Sequence, residues 1–317
     1  MRPTSGAINR APTINKKGKM AIENKFKSGF VSIIGRPNAG KSTLLNAIIG
    51  EKLAAVSAKP QTTRTKVTGI YNTKDAQVVF LDTPGIHKPK GLLNEYMVKA
   101  AKDACEEVDL ILFMVEADKP SPGEIEKLVI DFLKGLKTKV FLVINKVDLV
   151  EKQVLLPLIE KYTSLFQFAE VVPVSAAKRK NLDDLIGTII NELPEGPKYF
   201  PEDELSDQPE RFIAAEIIRE KIFQMTTEEI PYSTAVIVEE MKDKGDIVYT
   251  RADIYVEKDS QKGIIIGANG KMLKRIGQAA RKDMERLLGV KIFLELWVKV
   301  KKDWRERPGS LREMGYS

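Results

Sequence analysis

One cysteine and one histidine are all that this chain of 317 residues contains. Cys105 by itself cannot close an internal disulfide, and His87 by itself cannot build a histidine-rich metal centre. A disulfide-stapled scaffold and a zinc-type site are therefore excluded, and a reducing compartment is expected. Long apolar runs are missing as well. No stretch reaches the length of a membrane span, and the N-terminus has charge without the hydrophobic segment of a signal peptide.

What is present is an ordinary balance, 43% hydrophobic and 30% charged residues, over a length that accommodates about two domains. The net charge of +7 is unevenly spread. Residues 1–28 hold seven Lys/Arg against one Asp/Glu, and residues 261–317 hold fourteen against six. The body between them is acidic, with thirty against thirty-seven. A basic C-terminal quarter on an acidic body points to a polyanion met at that end, or to a solvated basic face.

The pattern G-x-x-x-x-G-K-[ST] occurs at Gly35-Arg36-Pro37-Asn38-Ala39-Gly40-Lys41-Ser42. It follows an apolar run (Phe30, Val31, Ile33, Ile34) and opens an amphipathic stretch that starts at Thr43. Between a strand and a helix, this pattern is a phosphate cradle. Backbone N–H groups turn inward, and the helix N-terminus adds partial positive charge. Lys41 is expected to reach the β- and γ-phosphates and Ser42 to ligate Mg²⁺.

Further apolar runs begin at Val78, Leu110, Val140 and Val171, and helical patterns lie between them near 92–107, 123–136, 151–167 and 181–193. Continuous apolar strands alternating with helices predict an α/β fold, a mostly parallel sheet with helices on both faces. Three motifs sit at strand ends, where such sheets bind ligands. In Asp82-Thr83-Pro84-Gly85 the carboxylate can hold Mg²⁺ through water, and the Gly85 N–H can meet a γ-phosphate. In Asn145-Lys146-Val147-Asp148 the Asp148 carboxylate can accept both N1–H and the N2 amine of guanine, a donor pair adenine lacks. Ser175-Ala176-Ala177 can offer backbone N–H to guanine O6. In Gln61-Thr62-Thr63-Arg64-Thr65 one hydroxyl is expected on Mg²⁺, with Thr63 preferred over Thr62. Arg64 and Lys66 are expected to be solvated, as is His87.

Proline and acidic residues over 194–209 read as a linker, and residues 1–28 as a basic arm without fixed structure. Beyond the linker come a helix over 210–224, two strands over 235–240 and 246–256, a glycine loop, a helix over 271–288 and a strand over 290–298. The loop Ile266-Gly267-Ala268-Asn269-Gly270-Lys271 carries Gly-x-x-Gly and leads into a basic helix with Lys274 and Arg275. Residues 301–317 read as a basic tail, with Trp297 and Trp304 either extending the contact made by that loop or simply ending the last strand.

The first half resembles a small GTPase domain of the translation-factor-related class. Gly35 to Asn46, Pro60 to Arg64 and Asp82 to Ile86 look most like the bacterial Era family. The α-β-β-α-α-β order around Gly-x-x-Gly resembles a type II KH domain, an α+β fold. The resemblance covers roughly residues 29–300, with the GTPase domain at 29–193 and the KH domain at 210–300. It implies a GTP-hydrolysing switch that binds 16S ribosomal RNA near its 3′ end and assists assembly of the 30S subunit. Ile266 to Lys271, Lys274 and Arg275 would then clamp about four nucleotides. Few aromatics flank the loop, so strong base stacking is not expected.

Ras-like GTPases orient the attacking water with a glutamine just after Asp-x-x-Gly. Here Ile86 stands there. The catalytic set is expected to be Asn38, Lys41, Thr63 and Gly85, with Asn38 helping to coordinate K⁺, as in similar GTPases, and slow intrinsic turnover. The protein is expected to be a cytoplasmic monomer. A GTP-dependent adaptor docking its basic face on the cytoplasmic face of the membrane, or on a protein complex, is the competing reading.

Overall fold

The structure, a computed structural model, describes residues 26–316. Most of the expected basic arm thus lies outside the described residues. Its last two residues, Lys27 and Ser28, already belong to the first strand.

The first half runs β1 (Lys27–Gly35), α1 (Lys41–Ile49), β2 (Val67–Asn72), β3 (Ala76–Asp82), α2 (Leu92–Asp103), β4 (Leu110–Glu116), α3 (Glu124–Leu133), β5 (Lys139–Asn145), α4 (Leu155–Thr163), β6 (Glu170–Pro173) and α5 (Leu182–Glu192). They build a six-stranded sheet in the order β2-β3-β1-β4-β5-β6. All neighbours pair parallel except β2 with β3. Strands β3 and β4 are buried along their whole length because helices cover both faces. Leu44 and Leu45 of α1 pack with Leu185 and Ile189 of α5 on one side. Val129 and Ile130 of α3 pack with Leu158 and Tyr162 of α4 on the other. Strand β2 escapes the sequence pattern because Val67-Thr-Gly-Ile-Tyr-Asn has no continuous apolar run, as suits an antiparallel outer strand.

Residues 194–209, expected as a linker, are instead laid on the sheet. Ser28 N–H donates to the Pro194 carbonyl at 3.1 Å, and Gly196 N–H returns a bond to Phe26 at 3.0 Å. Gln77 Oε1 accepts from the Tyr199 and Phe200 amides, and Ile70 N–H donates to Leu205. The backbone polar groups of this segment are satisfied by the sheet, which is why it is held in place.

The second half follows as α6 (Glu210–Met225), β7 (Ala235–Asp243), β8 (Ile247–Val256), α7 (Asp259–Ile266), α8 (Lys271–Leu288), β9 (Lys291–Val300) and α9 (Pro308–Glu313). Its sheet has the order β7-β8-β9, with β8 and β9 parallel. Ile217, Ile218 and Ile222 of α6 and Ile276, Ala280 and Met284 of α8 pack on its inner face. Helix α6 is buried almost all round, from Glu216 to Phe223 without a break. It lies between this sheet and the first half.

Of the expected basic tail, residues 301–316 are described, and they differ most from expectation. Trp304, Leu311, Met314 and Tyr316 are buried with Leu93 and Met97 of α2 and Ala235 of β7. Trp304 Nε1 donates to the Ser233 carbonyl at 2.9 Å. The apolar residues interspersed among the charges make this segment a wedge between the halves rather than a tail.

Candidate functional site

The loop between β1 and α1 wraps the N-terminus of α1. Gly40 has φ +100, and a Cβ there would stand 2.2 Å from Asn145 Nδ2, so glycine is required on both counts. The Lys41 ammonium is buried and donates to the Arg36 carbonyl at 3.1 Å and the Gly35 carbonyl at 3.4 Å. Burial pulls its pKa down to about 8 against the pull of Asp82 and Glu116. The Arg36 side chain points elsewhere, pairing with Glu116 at 2.8 Å and Glu126 at 3.6 Å, so Arg36 serves the loop through its backbone. Pro37, Asn38, Ser42 and Thr43 line the same small cavity, of about 50 Å³, together with Gln61, Thr62, Thr63 and Gly85. Ala39 lies beneath it, fully buried.

Three oxygens converge beside Lys41. Ser42 Oγ donates to Asp82 Oδ2 at 2.6 Å and lies 2.8 Å from Thr63 Oγ1, which is itself 3.4 Å from Asp82 Oδ2. Asp82 Oδ1 is buried without a hydrogen-bond partner among the described residues. Burial raises this carboxyl to about 6, opposed by Lys41 and by the Ser42 and Thr63 hydroxyls. An all-oxygen set holding one orphaned carboxylate oxygen fits a hard divalent cation such as Mg²⁺. Thr62 turns away, its hydroxyl donating to the Lys59 carbonyl at 2.8 Å, so Thr63 is the threonine that faces the set.

After Asp82 the chain is pinned. Thr83 Oγ1 donates to the Ile33 carbonyl at 2.7 Å, and Ile86 N–H to Gly35 at 3.0 Å. Pro84 is buried, and Gly85 packs against Pro37. Ile86 is buried in the core, so it can neither hold nor orient water. His87, expected to be solvated, is half-buried with Nε2 3.4 Å from Gln61 Nε2, and its burial lowers its pKa. Asn38, in a left-handed conformation, donates to the Ala58 carbonyl at 2.8 Å.

At the end of β5, Asn145 bridges two loops. Its Nδ2 donates to the Ala39 carbonyl at 2.8 Å, and its Oδ1 accepts from Ala176 N–H at 3.0 Å. Lys146 pairs with the buried Glu116. Asp148 is exposed, and the Ser175 hydroxyl beside it holds its carboxyl below the usual range. The Ser175 amide donates to Lys180 and the Ala176 amide to Asn145. Reaching guanine O6 with Ala176 therefore requires Asn145 to release it, whereas Ala177 keeps its amide for that purpose.

In the second half, Gly267, Asn269 and Gly270 all have positive φ, which makes the loop between α7 and α8 a tight backbone knuckle. Ala268 and Asn269 are exposed at its tip, and Lys271, Lys274 and Arg275 are exposed along α8. Beside it a groove of about 420 Å³ is lined by Gly270, Leu273, Lys274, Gly277, Arg281, Leu294 and Leu296. Ile265 is buried beneath the loop and Ile266 half-buried. Alternation along β9 puts Leu294 and Leu296 on the groove side and Phe293 and Trp297 on the opposite face. Trp297, 55% exposed, therefore does not extend the groove.

Arg64 overturns its expectation. It is 1% exposed and donates to the carbonyls of Pro231, Tyr232 and Thr234 at 2.7 to 3.0 Å. Lys66 is exposed, as expected. The other contacts around that loop, from Lys59 and Arg219, have no sequence signature of their own. The nearest signal is α6 itself, whose apolar residues lack a clean helical stripe.

Two family profiles match the chain: "50S ribosome-binding GTPase" over residues 30–146 and "KH domain" over residues 229–305. The chain is 56% identical to the GTPase Era of Geobacter metallireducens over 297 residues, 93% of this chain and 99% of that one. A crystal structure of an Aquifex aeolicus Era variant bound to GDP·AlF4⁻ superposes with a TM-score of 0.89 at 44% identity, covering 92% of this chain and all of that one. A second Era structure, in complex with MgGDPNP and nucleotides 1506–1542 of 16S ribosomal RNA, gives the same score and identity over 92% and 99%. With the phosphate loop, the guanine-side loops and the Gly-x-x-Gly knuckle in one chain, and identity sustained across both halves, this protein belongs to the Era family of GTPases.

Proposed function

We propose that the protein hydrolyses GTP as a switch and grips 16S ribosomal RNA near its 3′ end through its KH half during 30S subunit assembly. The observation that carries this reading is the convergence of Ser42, Thr63 and Asp82 beside Lys41, because Thr63 comes from a loop that also bonds to the KH half. When bound there, Mg²⁺ supplies charge neutralisation between the β- and γ-phosphates. Lys41 and the amides after Gly35 hold the phosphates, Thr63 and Gly85 meet the γ end, and Asp148 with Ala177 reads guanine. With Ile86 unable to position water, transition-state charge must be met by other groups. Asn38, at the mouth of the phosphate loop, is the candidate ligand for K⁺.

For RNA, Lys271, Lys274 and Arg275 meet phosphates, and bases enter the groove past Gly270. No helix among the described residues is long and apolar enough to cross a membrane. The proposed place of action is the cytoplasm, where 30S subunits are assembled.

The test is calorimetric titration with GDP and a non-hydrolysable GTP analogue with magnesium, followed by titration of a 3′-terminal 16S RNA fragment into each complex. Nucleotide binding together with an RNA affinity that differs between the two complexes is expected. An RNA affinity indifferent to the nucleotide would overturn the switch reading. Turnover in K⁺ and in Na⁺ tests Asn38, and equal rates would remove it from the catalytic set.

A further inference from the structure

Residues 52–64 carry Thr63 toward the three-oxygen set, yet most of their side-chain and carbonyl contacts go to the other half of the protein. Lys52 Nζ bonds Glu220 at 2.8 Å and Asp283 at 2.7 Å. The Val56 carbonyl accepts from Gln224 at 3.2 Å. Lys59 Nζ donates to the carbonyls of Phe223 and Thr226, at the end of α6 where helix carbonyls lack intrahelical partners. Arg219 Nη2 donates to the Thr62 carbonyl, one peptide away from Thr63. Arg219 is itself fixed: Glu216 Oε1 accepts from its Nε at 2.8 Å, and its guanidinium lies 5.2 Å from the Phe223 ring centre.

We infer that Arg219 of the KH half is a positioning residue for the GTPase site, and that Lys59 is the matching anchor on the loop. Arg219 fixes the peptide between Thr62 and Thr63, and that peptide sets whether the Thr63 hydroxyl points at Ser42 and Asp82 or away from them. Changing a group that orients a metal ligand typically costs about 10- to 100-fold in metal affinity. The same loop lines the small cavity beside Lys41, with Gln61, Thr62 and Thr63 on its wall. The nucleotide site and the seating of α6 are therefore joined through the same atoms, and any such coupling acts in both directions.

The assignment rests on reading Thr63 as the Mg²⁺-facing threonine. Its test uses the full chain carrying Arg219→Met with Glu216→Gln, which removes the donor without stranding a buried carboxylate, and separately Lys59→Ala. Two readouts are taken. Without nucleotide, amide hydrogen exchange over residues 55–66 should speed up at least about tenfold in either variant, while exchange in β4 and β5 stays unchanged. With nucleotide, the Mg²⁺ concentration that half-saturates binding of a fluorescent GTP analogue should rise about 10-fold or more, while affinity for the GDP counterpart stays within about twofold. A purely structural role would move both nucleotides together. Unchanged loop exchange and an unchanged Mg²⁺ requirement, in variants that melt cooperatively, would overturn the inference. Should the double variant fail to fold, the Lys59→Ala comparison decides alone. Failure of the native chain to distinguish the two nucleotides by Mg²⁺ requirement would instead sink the reading of Thr63, a separate result.

Discussion

The guanidinium of Arg64 lies 3.3 Å from the phenol oxygen of Tyr316, a residue 252 positions further along the chain. Trp304 stacks on Tyr316 at 5.9 Å between ring centres, and Arg64 sits within 6.0 Å of the centres of both rings and of Phe223. A cation enclosed by three rings and three carbonyls joins the nucleotide loop, the approach to the KH sheet and the C-terminal segment at one point.

Replacing Arg64 by alanine should therefore cost stability well beyond a surface change. Three buried carbonyls lose their donor, at about 1 to 3 kcal/mol for each group left unsatisfied, partly relieved by entering water. An unfolding free energy in urea lower by at least about 3 kcal/mol is expected. Arg64→Lys should recover little of it, because one ammonium cannot span carbonyls that a planar fork reaches.

Removing residues 303–317 should behave similarly. The deletion takes away Trp304 and its bond to Ser233, and it uncovers Leu93 and Met97. Loss of a buried tryptophan alone costs about 3 to 5 kcal/mol. Thermal unfolding of the shortened chain should start well below that of the full chain. A solvated tail would leave the transition in place.

Asn145→Ala should weaken GDP and GTP alike. The side chain joins Ala39 of the phosphate loop to Ala176 of the guanine-side loop and contacts both through one amide. Losing it leaves a buried carbonyl and a buried N–H, about 1 to 3 kcal/mol apiece. Both nucleotides should bind at least about tenfold more weakly by titration. A loss confined to GTP would contradict the bridging role.

Among substitutions in the Gly-x-x-Gly loop, Gly270→Asp is the informative one. A Cβ at Gly270 meets nothing within 4 Å, whereas one at Gly267 would stand 2.7 Å from the Met272 Cβ. Gly270→Asp therefore carries only the strain of its positive φ, about 1 kcal/mol, and sets a carboxylate where a phosphate is to approach. RNA affinity should fall about tenfold or more at low salt while the melting transition moves by only a few degrees.

Cys105 offers a pH test. Burial pushes its thiol up from 9.0 to about 12, partly offset by the Ser32 hydroxyl. The folded chain thus holds this proton more tightly than the unfolded one. Its stabilisation is complete below pH 9 and fades as pH climbs toward 12, an effect on the order of 4 kcal/mol across the window. The stability gap between the native chain and Cys105→Ala should accordingly narrow between pH 8 and pH 10.5, and iodoacetamide should leave Cys105 untouched in the folded protein at pH 8.

Much of the nucleotide pocket is legible in residue order because each part is local. The phosphate loop, Asp82 and Asn145 follow buried strands whose apolar runs announce them, and the sheet carries them to one edge. Arg64 is not legible in this way. Its burial depends on the start of the KH sheet and on Tyr316, and no periodicity around residue 64 signals either. Residues 301–317 mislead for a related reason: their apolar members are spread among charges, so they declare a buried face only once α2 stands opposite. The segment 194–209 misleads because most of its bonds to the sheet run through its backbone atoms, which leave no mark on composition.

That segment has one more effect. Strand β2 ends the sheet on its side, and its outward carbonyls and amides would be open to any strand from another copy. Leu205 takes the Ile70 amide, Ser206 takes the Thr68 carbonyl at 2.6 Å, and Asn72 Nδ2 is spent on the carbonyl of Glu202. The chain thus supplies its own border strip, and the molecule can crowd against its neighbours with that flank closed to strand addition from another copy.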